Sequence, residues 1–206
     1  MSPPGRIVVL NGAPRSGKTS IGKALQERNV GAWVSLGVDS SRRSIPERWQ
    51  PGIGLRPGGQ RPDLEATVVA LYEALFDSVA AHARLGLDVF VDVGLHDSYS
   101  KPLGVPARCA ARLETLPVLF VGVRCPLEVV WERRRSTWGQ DRESADEDLR
   151  AAVEGWQETV HAHGPYDLEV DTSVDAPAHC ADVIVARLQD GPPGVAFARL
   201  ASLGPP

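Results

Sequence analysis

A doubly wound α/β fold, with helices on both faces of a parallel sheet, is what this sequence predicts, on three observations. Five short apolar runs recur along the chain with amphipathic helical stretches between them. The fourth run, Val118-Leu-Phe-Val-Gly-Val123, is apolar without alternation, the pattern of a strand buried on both faces. The first run, Ile7 to Leu10, leads directly into Gly12-Ala-Pro-Arg-Ser-Gly17-Lys18-Thr19, a match to G-x-x-x-x-G-K-[ST], which belongs between a strand and a helix.

The elements follow in order. From Gly17 to about Arg28, Ile21, Ala24 and Leu25 recur at helical spacing. A second strand, Ala32 to Val38, delivers Asp39 at its carboxyl end, where ligands bind in open parallel sheets. Ser40 to Pro62 is rich in Pro, Gly and Arg, so the expectation is a short helical piece near Ser44–Trp49 and then a long loop, either a binding lid or disorder. Leu64, Val68, Leu71, Leu75 and Val79 mark the core face of a helix reaching about Arg84. Leu87 to Val91 is a third strand ending in Asp92. A helix near Ala107–Glu114 precedes the fourth strand, and a proline-started helix, Pro126 to Arg135, follows it. Ser136 to Arg142 reads as a mobile cover or, alternatively, as a solvated helix end. Glu147 to about Val160 is helical, Tyr166 to Val170 is a fifth strand ending in Asp171, and Ala176 to Leu188 is a helix. Val195 to Leu203 is expected as one loosely docked turn in a Pro/Gly-rich tail. The expected organisation is a single domain over residues 1–190, with a substrate insertion at about 40–62 and a lid at about 133–146, and a tail over 191–206.

Glycines framing the turn after the first strand let successive backbone N–H groups point at an anion, and the helix start adds its dipole. Lys18 brings a point charge to outer phosphates, and the Thr19 hydroxyl suits a magnesium ion that bridges them. The expected nucleotide cradle is Gly12, Ala13, Pro14, Arg15, Ser16, Gly17, Lys18 and Thr19. Asp92 fits the strand-end carboxylate that takes part in holding magnesium beside Thr19.

Composition narrows the function classes. With 206 residues, 43% hydrophobic and 23% charged, the chain fits one globular α/β domain. Its net charge of −4 argues against a broad nucleic-acid footprint. No window resembles a membrane span and the first residues lack a signal-peptide pattern, so a cytoplasmic protein without a membrane partner is expected. Cys109, Cys125 and Cys180 are too few and too widely spaced for a disulfide framework or zinc cluster, and buried reduced thiols are expected. Neither Asn11 nor Asn29 is followed by lysine, so the guanine-reading element of a GTP switch is missing.

Four segments together carry a resemblance: Val9-Leu-Asn-Gly12, Gly37-Val-Asp-Ser40, Val121-Gly-Val-Arg-Cys125 and Tyr166-Asp-Leu-Glu-Val-Asp-Thr172. In this order they resemble the chloramphenicol phosphotransferase family, from about Arg6 to Leu188. The resemblance implies a shikimate-kinase-like P-loop fold with a five-stranded parallel sheet, and transfer of the γ-phosphoryl of ATP to an antibiotic hydroxyl. It implies that Asp39 is the catalytic base. It also implies a lid whose arginine pattern is matched by Glu132, Arg133, Arg135, Asp141 and Arg142. On that reading Lys18, Arg133 and Arg135 stabilise the transferring group, Arg133 and Arg142 help hold ATP, and magnesium sits at Thr19 and Asp92. Departures fall where an acceptor belongs: Val93-Gly-Leu-His96 replaces a second aspartate after Asp92, the lid reads Trp138-Gly-Gln-Asp-Arg142, and the Arg42–Arg61 insert differs.

Three readings stay open. The first is an antibiotic-resistance kinase. The second is a metabolic kinase for a hydroxylated acid, sugar or nucleoside, which Arg42, Arg43 and Arg48 would serve as a carboxylate pocket. The third is a nucleotide-binding regulatory ATPase. A small hydroxylated substrate is the expected partner, and a homo-oligomer is a possible assembly. His96 and Asp97 are expected as surface loop residues, Trp33, Trp131 and Trp156 as packing, and Trp49 and Trp138 as residues able to flank an aromatic substrate.

Overall fold

The computed structural model describes residues 3–28, 31–52 and 55–204, without the side chains of Ser41 and Arg42. Its sheet has five parallel strands: β1 (Ile7–Asn11), β2 (Trp33–Gly37), β3 (Asp88–Val93), β4 (Val118–Arg124) and β5 (Leu168–Asp171), in the order β2-β3-β1-β4-β5. All four pairings are parallel, and Leu10 of β1 lies opposite Asp92 of β3 and Val121 of β4. The eight described helices are α1 (Lys18–Glu27), α2 (Val38–Arg43), α3 (Glu65–Arg84), α4 (Val105–Ala111), α5 (Leu127–Trp138), α6 (Glu147–Thr159), α7 (Pro177–Asp190) and α8 (Ala196–Leu203).

Strand period explains the two layers. Ile7, Val9, Val89, Val91, Val93 and Phe120 point to one face and pack against α3, α4 and α8. Val8, Leu10, Phe90, Leu119, Val121 and Val123 point to the other and pack against α1 and α7. Both faces are covered, as the unalternated apolar run in β4 predicts. A smaller cluster, including Val130, Trp131 and Val153, joins α5 to α6 beyond the end of the sheet. Among the described residues no helix is long and apolar enough to cross a membrane.

Several boundaries differ from expectation. β2 stops at Gly37 and Asp39 lies in the first turn of α2, so a helix carries the aspartate rather than the strand end. Asp92 is a paired residue within β3, flanked by Leu10 and Gly37 in the register, because β3 continues to Val93. The expected Ser44–Trp49 piece is instead α2 followed by a 3₁₀ turn, Glu47–Trp49. α5 runs past Arg135 to Trp138 and ends at Gly139 in the left-handed region (φ 64°), where a side chain is strained.

The largest difference is at the carboxyl end. Val195 to Leu203 is no loose turn: α8 buries Phe197 and Leu200, and Phe197 rings with Phe76 and Phe120 at centroid distances of 5.8 and 5.0 Å. Asp167 explains the docking. Its Oδ1 accepts from Val195 N (2.7 Å) and Ala196 N (2.9 Å), capping α8, while Oδ2 accepts from Phe120 N (3.0 Å) at the sheet. Phe197→Ala is expected to lower unfolding stability by about 3–5 kcal/mol in urea melts. A loss below about 1 kcal/mol would return this segment to the status of a loose tail.

Candidate active site

The phosphate loop leaves β1 at Asn11 and enters α1 at Lys18. Gly12 is required by space, since a Cβ there would lie 2.5 Å from the Val123 carbonyl oxygen and 2.8 Å from Ser16 Oγ. Gly17 is required by conformation, with φ at 97°. Arg15, with φ at 71°, is the one non-glycine residue in the left-handed region among those described, a strain of the kind found at ligand cradles. Lys18 Nζ donates to Gly12 O and Ala13 O, both at 2.9 Å, and lies 3.6 Å from Asp92 Oδ1. The first turn of α1 holds no acidic residue, so nothing there opposes an anion.

Neighbouring elements hold the loop from outside. Thr172, just past β5, donates from Oγ1 to Ser16 O (2.6 Å). Arg133 of α5 donates to Thr172 Oγ1 (3.0 Å), Thr172 O (2.6 Å), Arg15 O (3.2 Å) and Cys125 Sγ (3.3 Å). Arg133 is therefore a brace between lid helix, loop and sheet, although it also lines the cleft. Nothing local in the sequence signals that the Thr172 hydroxyl reaches a residue 156 positions away.

The loop opens into a cleft of about 770 Å³ that Gly12, Lys18, Thr19, Asp39 and Asp92 all line. Thr19 Oγ1 donates to Asp92 Oδ2 at 2.6 Å, so the expected magnesium pair is adjacent. Tyr72, whose hydroxyl donates to Gly94 O, stands on the same wall; burial raises its pKa first, and Asp92 and Asp39 add to the shift. The far wall is apolar, formed by Ala152, Val153 and Trp156 of α6.

The lid side is cationic. Arg15 stacks on Trp138 with its guanidinium carbon 4.1 Å from the ring centroid, and Arg134 lies 5.1 Å from the same ring and 5.6 Å from Trp131. Arg134 is only 8% exposed and donates to Gln140 Oε1 at 2.9 Å. Burial lowers its pKa, and Arg56 and Arg15 lower it further. Arg134 and Arg56 both line the cleft and were not singled out in the sequence. A run of three arginines on a helix does not reveal which one faces inward. Of the other lid positions, Arg135 is exposed and outside the cleft, and Arg142 pairs with Glu154 at 2.8 Å. In the insert, Arg43 and Arg48 are exposed and outside the cleft, while the Arg42 side chain lies outside the described residues.

His96 is not a surface residue. It is 1% exposed, donates from Nε2 to Leu55 O (2.9 Å), accepts at Nδ1 from Ser98 N (3.2 Å), and burial lowers its pKa. Asp97 accepts from Leu103 N and Val105 N at the start of α4. Both fix loops. Trp33, Trp131 and Trp156 are buried and Trp49 and Trp138 half exposed; the three cysteines are buried free thiols whose pKa burial raises.

The family model of chloramphenicol phosphotransferase-like proteins matches residues 5–189. The chain belongs to that family. It is an ATP-dependent phosphotransferase of the small-molecule kinase type. No curated protein sequence matches significantly. Among solved structures, it is similar to the Mycobacterium tuberculosis APS kinase CysC in complex with AMPPNP and APS, with TM-score 0.64 and 18% identity over 92% of this chain and 100% of that one. It is similar to the Deinococcus radiodurans tunicamycin resistance protein, with TM-score 0.59 and 19% identity over 90% and 96% of the two chains. It is also similar to Acinetobacter baumannii shikimate kinase in complex with shikimate, with TM-score 0.59 and 14% identity over 91% and 93%. At these identities the likeness speaks for the fold, and the P-loop kinase sheet order agrees with it.

In this phosphotransferase the residue before the loop is also structural. Asn11 is fully buried; its Oδ1 accepts from Leu95 N (2.6 Å), and its Nδ2 donates to Val160 O (2.8 Å) and Tyr166 OH (2.9 Å) and lies 2.9 Å from His163 Nε2. His161 Nδ1 lies 2.6 Å from the Tyr166 hydroxyl. Burial is the first cause holding His161 and His163 at about 4, with Arg124 adding to both. Because these folded-state values lie below the ordinary 6.5, the unfolded chain takes up protons first on acidification. Stability is expected to be intact above pH 6.5 and to fall progressively toward pH 4. His163→Asn should reduce that slope by about one proton in pH-dependent urea melts; an unchanged slope would contradict the buried neutral imidazole.

Proposed function

We propose that this chain transfers the γ-phosphoryl group of ATP to a hydroxyl of a small molecule, with Asp39 receiving the hydroxyl proton. The observation that carries the proposal is that Asp39, on α2, lines the same cleft as the phosphate loop and Asp92. An alcohol is too weak an acid for a carboxylate to ionise it beforehand. Asp39 therefore orients the hydroxyl and accepts its proton late, as the new O–P bond forms and the bond from the γ-phosphorus to the bridging oxygen breaks, leaving ADP. Lys18 supplies charge to the phosphate oxygens from its place over the loop, and Arg15 and Arg134 face the same space. Arg133 keeps the cradle in shape.

The residues present fit a magnesium ion. Thr19 Oγ1 and Asp92 would hold it, directly or through water, a set that needs phosphate and water oxygens to complete it. A magnesium ion held there would supply positive charge against the negative charge of the phosphate groups. Ser16 Oγ, buried and without a protein partner, is a further polar atom beneath the cradle. The stacking of Arg15 on Trp138 ties the end of α5 to the loop, which helps exclude water from the transferring group.

The family's namesake makes an antibiotic alcohol the first acceptor to test. The arginines lining the cleft favour a second reading, a metabolic hydroxy acid. Incubation with magnesium, ATP and each alcohol should give a product one phosphoryl unit heavier by mass spectrometry. Asp39→Asn is expected to lower kcat by about 10²–10⁴-fold with ATP affinity retained, and Lys18→Ala to abolish productive ATP use. Retention of most of the rate in Asp39→Asn would remove the base assignment; normal turnover in Lys18→Ala would remove the loop from the chemistry.

A further inference from the structure

The cleft carries more positive charge than a nucleotide needs. Among the described residues, Arg15, Lys18, Arg56, Arg133 and Arg134 line it, against the carboxylates of Asp39 and Asp92. A nucleoside triphosphate with its magnesium brings roughly two net negative charges, which leaves a cation over. Two of these guanidiniums stand out for their surroundings. Arg134 is 8% exposed, its Nε is buried without a hydrogen-bond partner, and its one side-chain hydrogen-bond acceptor among the described residues is a neutral amide, Gln140. Arg56 is half-buried and, among the described residues, pairs with no carboxylate; it is close enough to Arg134 to depress its pKa. Burying like charges together costs free energy that an incoming anion would relieve. Arg56 also comes from the segment that follows Asp39, where Gly52 and Leu55 line the cleft beside it, rather than from the phosphate loop.

We propose that the acceptor alcohol carries an anionic group, a carboxylate or a phosphate or sulfate ester, which seats on the guanidiniums of Arg56 and Arg134. This rests on the kinase reading above and names its substrate class. The planar donor fork of arginine suits such groups bidentately, and the indole faces of Trp131 and Trp138 hold Arg134 without neutralising it. The anion then fixes one end of the acceptor, so that its hydroxyl is presented between Asp39 and the phosphate loop. A neutral alcohol of the same shape would leave both guanidiniums without a counter-charge.

The test has two arms. In the first, protein saturated with AMPPNP and magnesium is titrated with sodium sulfate and sodium acetate, followed by the fluorescence of the tryptophans around the cleft. Saturable binding is expected, weakened at least about tenfold in Arg56→Gln and partly restored in Arg56→Lys; Arg56 lies in a loop, so its replacement spares the buried Arg134. In the second, turnover is compared within matched pairs: glycerate and glycerol, gluconate and glucose, shikimate and methyl shikimate. Glucose 6-phosphate serves as the phosphate-ester arm and chloramphenicol as the neutral antibiotic. The anionic member is expected to be used at least about tenfold better, with the Arg56→Gln defect falling on the acceptor's KM. Preference for neutral alcohols overturns the inference and leaves the kinase reading standing. An Arg56→Gln defect confined to the KM for ATP assigns Arg56 to the nucleotide and overturns it as well. Phosphorylated product from neither class would remove the kinase reading and this inference with it.

Discussion

The buried carboxamide of Asn11 is the fixed point of the half of the molecule that carries the phosphate loop. It has no access to water, and an amide stripped of its partners in the interior costs about 1–3 kcal/mol for each unsatisfied group. Leu95 N, Val160 O and the Tyr166 hydroxyl must therefore stay where the side chain can reach them all at once. These partners come from the segment after β3, the end of α6 and the approach to β5. Because Gly12 follows Asn11 directly, the same contacts set the phosphate loop relative to Asp92 on one side and the Trp156 wall on the other. A cradle held this way is formed before any ligand arrives, and the benefit of such preorganisation is that little rearranges as charge develops.

The charges around the cleft obey a second constraint, which is that most are held by groups that do not neutralise them. Arg133 sits on carbonyls, a hydroxyl and a thiol, Arg15 and Arg134 lie against the faces of indole rings, and Lys18 alone of the four adds a carboxylate, Asp92 at 3.6 Å, to its two carbonyl oxygens. Carbonyls and aromatic faces fix the position of a cation while leaving its field available. Elsewhere the arginines are paired with acids in the ordinary way, as in Arg6 with Asp88 and Arg112 with Asp77 and Glu73. The contrast sets the cleft apart from the rest of the described surface, on an acidic protein whose net charge of −4 gives no hint of it.

Much of this was legible in the linear chain. The five strands fall on the five apolar runs because the period of a strand buried on two faces is short and leaves continuous apolar stretches. The phosphate loop was legible because its pattern is local: Gly12, Gly17, Lys18 and Thr19 lie within eight consecutive positions. The pairing of Thr19 with Asp92 followed from fold class, since parallel strands place their carboxyl ends along one edge. The choice of Arg134 over Arg135 was not legible, because neighbours on a helix differ by about 100° in direction and only the packing of Trp131 and Trp138 says which one points into the cleft. Nor was the burial of His96, whose two ring nitrogens are satisfied by backbone groups from its own loop and from Leu55.

The sequence by itself determined the layers and the place of the loop, because each depends on spacing over a few residues. Only the tertiary structure decided that α8 is part of the core, that Thr172 and Arg133 brace the loop, and that Arg56 and Arg134 share one cavity. In each of those cases the deciding partner is far away in the chain: Asp167 lies 28 residues from the helix it caps, and Thr172 lies 156 from the carbonyl it holds. Contacts of that separation exist only once the sheet has assembled, and no local pattern encodes them.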